Sequence, residues 1–143
     1  MILAAITGGC SGSRPDSVGV HNSRLSDCPG SPNCVSSEST DDRFQVPSLH
    51  LADTSGNQWE ELIATVKAMP RTSIIVQTDN YLHAECKSRV FRFVDDLELL
   101  LNRETGEISI RSASRVGRSD FGVNRKRIDS LRAMLMKEGV IKN

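Results

Sequence analysis

The 143-residue chain has no surplus of either charge: 18 Lys and Arg cancel 18 Asp and Glu. It has no apolar run near the roughly 18 residues that a membrane-crossing helix requires. Aromatic residues make up only 4%. The most basic stretch holds a single stacking aromatic, Phe121, so nucleic acid is not an expected partner. Four cysteines and a near-average composition exclude a disulfide-dense miniprotein, a collagen-like fibre and disorder throughout. What remains is one ordinary domain with a real core. No internal repeat is present, and no cofactor is expected.

The neutrality conceals an asymmetry. Residues 1–70 carry four basic and eight acidic side chains, whereas residues 71–143 carry fourteen and ten. The first half also opens with a different texture, because 17 of the 33 residues from Gly8 to Thr40 are Gly, Ser or Pro. This reads as a tether and Cys loop over 11–43, with an ordered arm from about Leu25, ahead of a globular part over 44–143. Residues 1–10 end like a truncated bacterial lipoprotein signal, in which a short apolar run and small residues lead to Cys10. Lipidation of Cys10 would make the protein a membrane-anchored lipoprotein of the cell envelope, facing the periplasm. An uncleaved N-terminus and a cytoplasmic protein is the alternative. Cys28 and Cys34 enclose Pro-Gly-Ser-Pro-Asn and could close a small disulfide in an oxidising compartment. A metal site is not expected, since two further ligands would have to come from His21, His50 or the His83/Cys86 strand.

Periodicity supplies the elements. Asp53 or Thr54 could cap a helix with apolar positions Trp59, Leu62, Ile63 and Val66, and Pro70 requires it to stop by Met69. Strands follow over 73–78, 81–87, 90–101 and 107–115, the last two joined by turn chemistry at 102–106. A second helix runs from about Asn124, a good cap, to Glu138, with Ile128, Leu131, Met134 and Leu135 inward and Gly139 as a C-terminal cap. The order α-β-β-β-β-α gives an α+β fold, a four-stranded antiparallel meander with two helices packed on one face.

Register carries the functional signal. Pairing Leu101 with Ile108 sets Leu99 opposite Ile110, Asp95 opposite Ser114 and Glu98 opposite Arg111, with Phe91 and Phe93 continuing toward the core. The opposed charges favour this register over a one-residue slip. Arg92, Asp96, Glu98, Arg111 and Arg115 then share one sheet face, joined by His83 and Glu85. Such a face is either solvated and laced with ion pairs or a surface on which arginines hold an anion. Asp95, pointing into the apolar stripe, needs Ser114, a backbone turn or a buried Arg. Arg125, Lys126 and Arg127 fall in the first turn of the second helix, where positive charge is unfavourable. They form either an anion cradle beneath the Gly117–Gly122 loop or a set of side chains splayed into water or toward Asp95 and Asp96.

Four segments resemble a known family: Cys28-Pro-Gly-Ser-Pro-Asn-Cys-Val-Ser-Ser37, Tyr81-Leu-His-Ala-Glu85, Phe91-Arg-Phe-Val-Asp-Asp-Leu-Glu98, and Ile110 to Gly117 with Ser119 to Arg127. Together they are similar to the uncharacterised family catalogued as domain of unknown function 1499, over about residues 25–138. The resemblance implies a small exported or membrane-attached protein and brings no activity with it. The basic residues set the expectation, which is binding of an anionic small molecule or lipid headgroup, or of a partner, on the hairpin–loop–helix surface. Arg92, Arg111, Arg115, Arg125 and Arg127 would supply the charge, with Asn124 at the helix start and Asp96 and Glu98 orienting the arginines. The alternatives are a hydrolase or redox enzyme using His83 and Asp96, or Cys34, and a scaffold subunit of a membrane-associated complex that docks a protein partner.

Overall fold

The computed structural model describes residues 12–117 and 119–143; the expected signal and Cys10 lie outside the described residues. Eleven elements follow in order: β1 (Val20–His21), β2 (Arg24–Leu25), β3 (Cys34–Ser36), β4 (Leu49–Leu51), α1 (Gln58–Ala68), β5 (Thr72–Gln77), β6 (Tyr81–Lys87), β7 (Val94–Leu101), β8 (Glu107–Ser114), α2 (Val123–Lys137) and β9 (Ile141–Lys142). The fold is α+β, with two helices and a mostly antiparallel sheet among the described residues. The four expected strands are consecutive neighbours, β5-β6-β7-β8, but the sheet is not a four-stranded meander. It has seven strands, continuing through β4 to β9, with β3 also paired to β8. The added strands are two or three residues long, too short to show alternation. β8 accommodates two of them end to end, β4 at Glu107–Ile108 and β3 at Arg111–Ala113.

The β7–β8 ladder has the expected register, including Glu98 opposite Arg111 and Asp95 opposite Ser114. β6 adds His83 opposite Glu98 and Glu85 opposite Asp96. Because side chains alternate, Leu97, Leu99, Ile108 and Ile110 face one way and Asp96, Glu98 and Arg111 the other. Trp59, Leu62, Ile63 and Val66 of α1, and Ile128, Leu131 and Leu135 of α2, pack on the apolar face. Met134 stays on the surface.

Three expected boundaries are corrected. α1 begins at Gln58 after Asn57, because Asp53 is used in a local turn that accepts from the Ser55 N–H at 2.8 Å. β7 begins at Val94 rather than Val90. Ser88 closes a turn on Phe93, with Ser88 N donating to Phe93 O and Phe93 N to Ser88 Oγ, each at 2.9 Å. Arg92 in that turn has φ +55°, a left-handed value no strand residue adopts. Phe91 and Phe93 therefore leave the core and stack on each other in solvent. α2 is capped by Gly122, and Asn124 lies inside its first turn.

Residues 12–43, whose composition suggested a tether, lie against the sheet. Asn22 and Ser23, both at positive φ, make the tight two-residue turn between β1 and β2. Leu25, Cys34 and Val35 are buried.

Candidate functional site

The polar face of the sheet is a closed network of charges. Glu98 accepts from Tyr81 Oη at 2.8 Å and from Arg111 Nη1 at 3.0 Å. Asp96 shares its carboxylate among His83 Nε2 at 2.7 Å, Arg115 Nε at 2.9 Å and Arg115 Nη2 at 2.8 Å. Arg115 Nη2 also reaches Glu85 Oε1 at 2.6 Å, which Arg14 engages from the arm at 3.1 Å. His83, Asp96, Glu98 and Arg111 are 1%, 1%, 0% and 3% exposed. Thus this face is not solvated. Burial pushes the Asp96 carboxyl up, but its bonds to Arg115 and His83 outweigh that and hold it below the ordinary aspartate range. Burial and the neighbouring Glu98 carboxylate push the Tyr81 hydroxyl far up, so it serves as a neutral donor.

The N-terminal arm makes the burial. Gly19 N donates to Glu98 Oε1 at 2.7 Å, and Gly12 O accepts from Arg115 Nη1 at 3.3 Å. The arm is also fastened by a Cys28–Cys34 disulfide to the first residue of β3. The bridge spans six residues of sequence, so chain entropy gives it about 2 kcal/mol. Replacing both cysteines by serine is expected to lower Tm by roughly 7 °C. A melt unchanged by reductant would show that the bridge does not tie down the arm.

Between arm, Cys loop and sheet there is a cavity of about 300 Å³, walled by Ser17, Asn33, Asp96, Arg111, Ser114 and Arg115 among others. Larger hollows exist among the described residues, of about 370 Å³ beside Asn80 and Asn102, about 350 Å³ beside Arg43 and Arg125, and about 590 Å³ beside His50 and Arg132, but no charged residue lining any of them is buried. The smaller cavity is the one that borders the charge network. On its wall Arg111 is buried, yet its Nε finds no partner among the described residues.

The opposite face of the sheet holds the other candidates. Arg127 Nη2 meets Asp95 Oδ2 at 2.6 Å, which supplies the buried arginine Asp95 needs. Arg127 Nη1 also donates to Ser112 Oγ and Asn124 Oδ1. Asn124 is fully buried and, through Nδ2, ties α2 to Asn33 O, Ser114 Oγ and Asp120 Oδ2. Arg125 donates to the carbonyls of Arg43 and Gln45 at 3.0 Å each, and Arg132 to those of Pro47 and Ser48. The basic helix start is therefore not an open anion cradle. Its arginines hold the 43–48 segment and Asp95, and Asp120 supplies the missing negative charge by accepting from Gly122 N and Asn124 N. Arg92 sits in the exposed 88–93 turn, away from the network.

Of the expected ligand residues, the structure gathers Asp96, Glu98, Arg111 and Arg115. It sends Asn124, Arg125 and Arg127 to the helix side and Arg92 to a turn. Tyr81, Gly19 and Asn33 were not anticipated. Tyr81 had a signal, since it alternates with His83 and Glu85 along β6; Gly19 and Asn33 lie in segments without periodicity. Among the described residues no three His, Cys, Asp or Glu side chains group for a metal, and no helix is long and apolar enough to cross a membrane.

Comparison with curated proteins gives no match, and comparison with solved structures gives none either. A family model does match, covering residues 24–135, from β2 to the last turn of α2 and including Asp96, Glu98, Arg111 and Arg115. The chain belongs to the family described as protein of unknown function, DUF1499.

Proposed function

We propose that the protein binds a small anionic ligand in the cavity between the polar sheet face and the N-terminal arm, and works at the cell envelope, anchored by a lipid on Cys10. One observation carries the binding reading: two guanidiniums, those of the buried Arg111 and of Arg115, stand together on the cavity wall. Arg111 Nε, which finds no partner among the described residues, lies behind the wall, so an anion is drawn by the paired guanidinium charges and not by that one donor. Arg111 then anchors the ligand, Arg115 contributes a second cation, and Ser17 offers a neutral hydrogen bond. Glu98 and Asp96 orient the two guanidiniums. They also cancel much of their charge, which favours a compact anion over a polyanion. The volume suits a phosphate or a small carboxylic acid.

A second reading rests on the 2.7 Å His83–Asp96 bond, with Asp96 on the cavity wall. This pairing resembles an oriented general base. Against it, His83 is not on the cavity wall, and Asp96 is held ionised by three donors, a role that fixes geometry rather than moves protons.

Thermal denaturation with phosphate and sulfate tests the binding reading. A ligand at a hundredfold its Kd stabilises by about 2.7 kcal/mol, or roughly 8 °C for a domain of this size. The rise should saturate, and Arg115→Ala and Arg111→Lys should each remove the anion-dependent increment whatever they do to the starting Tm. An increment retained by both variants would end the proposal. Conversion of a bound organic anion followed by proton NMR, lost in His83→Gln, would favour the enzyme instead.

A further inference from the structure

We propose that the end of the sheet carrying the 88–93 turn docks on an anionic lipid surface. Val90, Phe91 and Phe93 are 76%, 75% and 42% exposed, with the two rings stacked at 5.5 Å between centroids. Three apolar side chains at one loop tip are a patch that water does not favour, and such patches mark contact surfaces.

The charge around the tip selects the partner. Lys87 to Phe93 contains Lys87, Arg89 and Arg92 and no carboxylate. Arg71 joins them, since its Nε donates to Lys87 O at 3.2 Å. All four cations are exposed, and none makes a side-chain ion pair among the described residues. The nearest carboxylates in sequence are committed elsewhere: Glu85 to Arg115 and Arg14, Asp95 to Arg127. Aromatic side chains set among unpaired Lys and Arg suit the headgroup boundary of an acidic membrane, where rings enter the acyl edge and cations meet phosphates.

The chain places more of the same chemistry at this end. Arg115 N donates to Val94 O at 3.2 Å, so the exit from β8 lies beside the entry to β7. Asn124 Nδ2 donates to Ser114 Oγ at 2.9 Å, which brings the start of α2 there too. Phe121, 90% exposed, and Val123, 44% exposed, flank that helix start. Gly12 is held here as well, its carbonyl accepting from Arg115. None of Arg89, Val90, Phe91, Arg92 and Phe93 lines the cavity, so variants at these positions test the docking surface without altering the anion site.

The test is sedimentation with vesicles of phosphatidylcholine alone or with about 30% phosphatidylglycerol, a content high enough for basic residues to register. The full chain is used with Cys10→Ser throughout, so that no acyl chain contributes. Each basic residue at an anionic surface strengthens binding about fivefold. The charge pair Arg89→Glu/Arg92→Glu should thus lose at least roughly 25-fold on acidic vesicles. Phe91→Ser/Phe93→Ser should lose binding on both kinds of vesicle. All four positions are exposed, so both variants should melt like the parent, which separates docking from folding. Parent protein that ignores acidic vesicles, or variants that bind as the parent does, would overturn the proposal. So would a concentration-dependent dimer abolished by Phe91→Ser/Phe93→Ser, which would assign the patch to a second copy of the chain.

Discussion

Glu98→Ala is expected to destabilise the protein by about 3–5 kcal/mol, a large part of the total stability of a domain this size. The side chain is fully buried, and its two oxygens accept from Tyr81, Arg111 and Gly19. Its removal strands the Arg111 guanidinium, whose Nε already finds no partner among the described residues, and frees the arm at Gly19. Breaking one side of a buried pair is expensive because the remaining charge stays buried. The double variant Glu98→Ala/Arg111→Met should therefore be more stable than Glu98→Ala alone, a sign that no simple sum of losses produces. Urea unfolding of the two single variants and the double closes the cycle. A loss under about 1 kcal/mol for Glu98→Ala would mean that the face is wet in solution and the arm is open.

Arg127→Ala should be nearly as damaging, at about 3 kcal/mol or more, while its neighbour Arg125→Ala should lose only about 1 kcal/mol. The contrast follows from what each guanidinium touches. Arg127 is the partner of Asp95, a 4% exposed carboxylate held between the sheet and α2, and it also bonds the buried Ser112 and Asn124. Arg125 bonds two main-chain carbonyls at the surface, where water can replace it. Asp95→Ala/Arg127→Ala should recover part of the loss by removing the stranded charge. Equal costs for Arg125→Ala and Arg127→Ala, read from urea midpoints, would deny Asp95 its buried partner.

These two arginines also show how far the sequence could be read. The β7–β8 register was legible because an opposed Glu98–Arg111 pair and four apolar partners all agree on it. The need of Asp95 for a buried partner was legible too. What Arg125 and Arg127 do was not, because a cationic first turn looks the same whether the charges face a ligand or the 43–48 segment. Arg92 was misplaced for a different reason: Val90, Phe91 and Phe93 extend the apolar content of β7, and only Ser88 closing on Phe93 reveals the turn. The burial of His83, Asp96 and Glu98 lay further out of reach. An alternating polar face reads as solvated until something covers it, and the cover is a Gly-, Ser- and Pro-rich arm with no periodicity. The strands β3, β4 and β9 escaped for the same lack of pattern over two or three residues.

The most direct measurement is a phosphate titration followed through the arginine Nε–H signals by nitrogen–proton NMR. If the cavity takes an anion beside the Arg111 guanidinium, the Arg111 Nε–H signal should shift saturably with phosphate. Arg115 should move less, because its Nε already donates to Asp96, and Arg125, Arg127 and Arg132 should hold still. Uniform drift of all the arginines with ionic strength, or an Arg111 signal that never moves, would contradict the account.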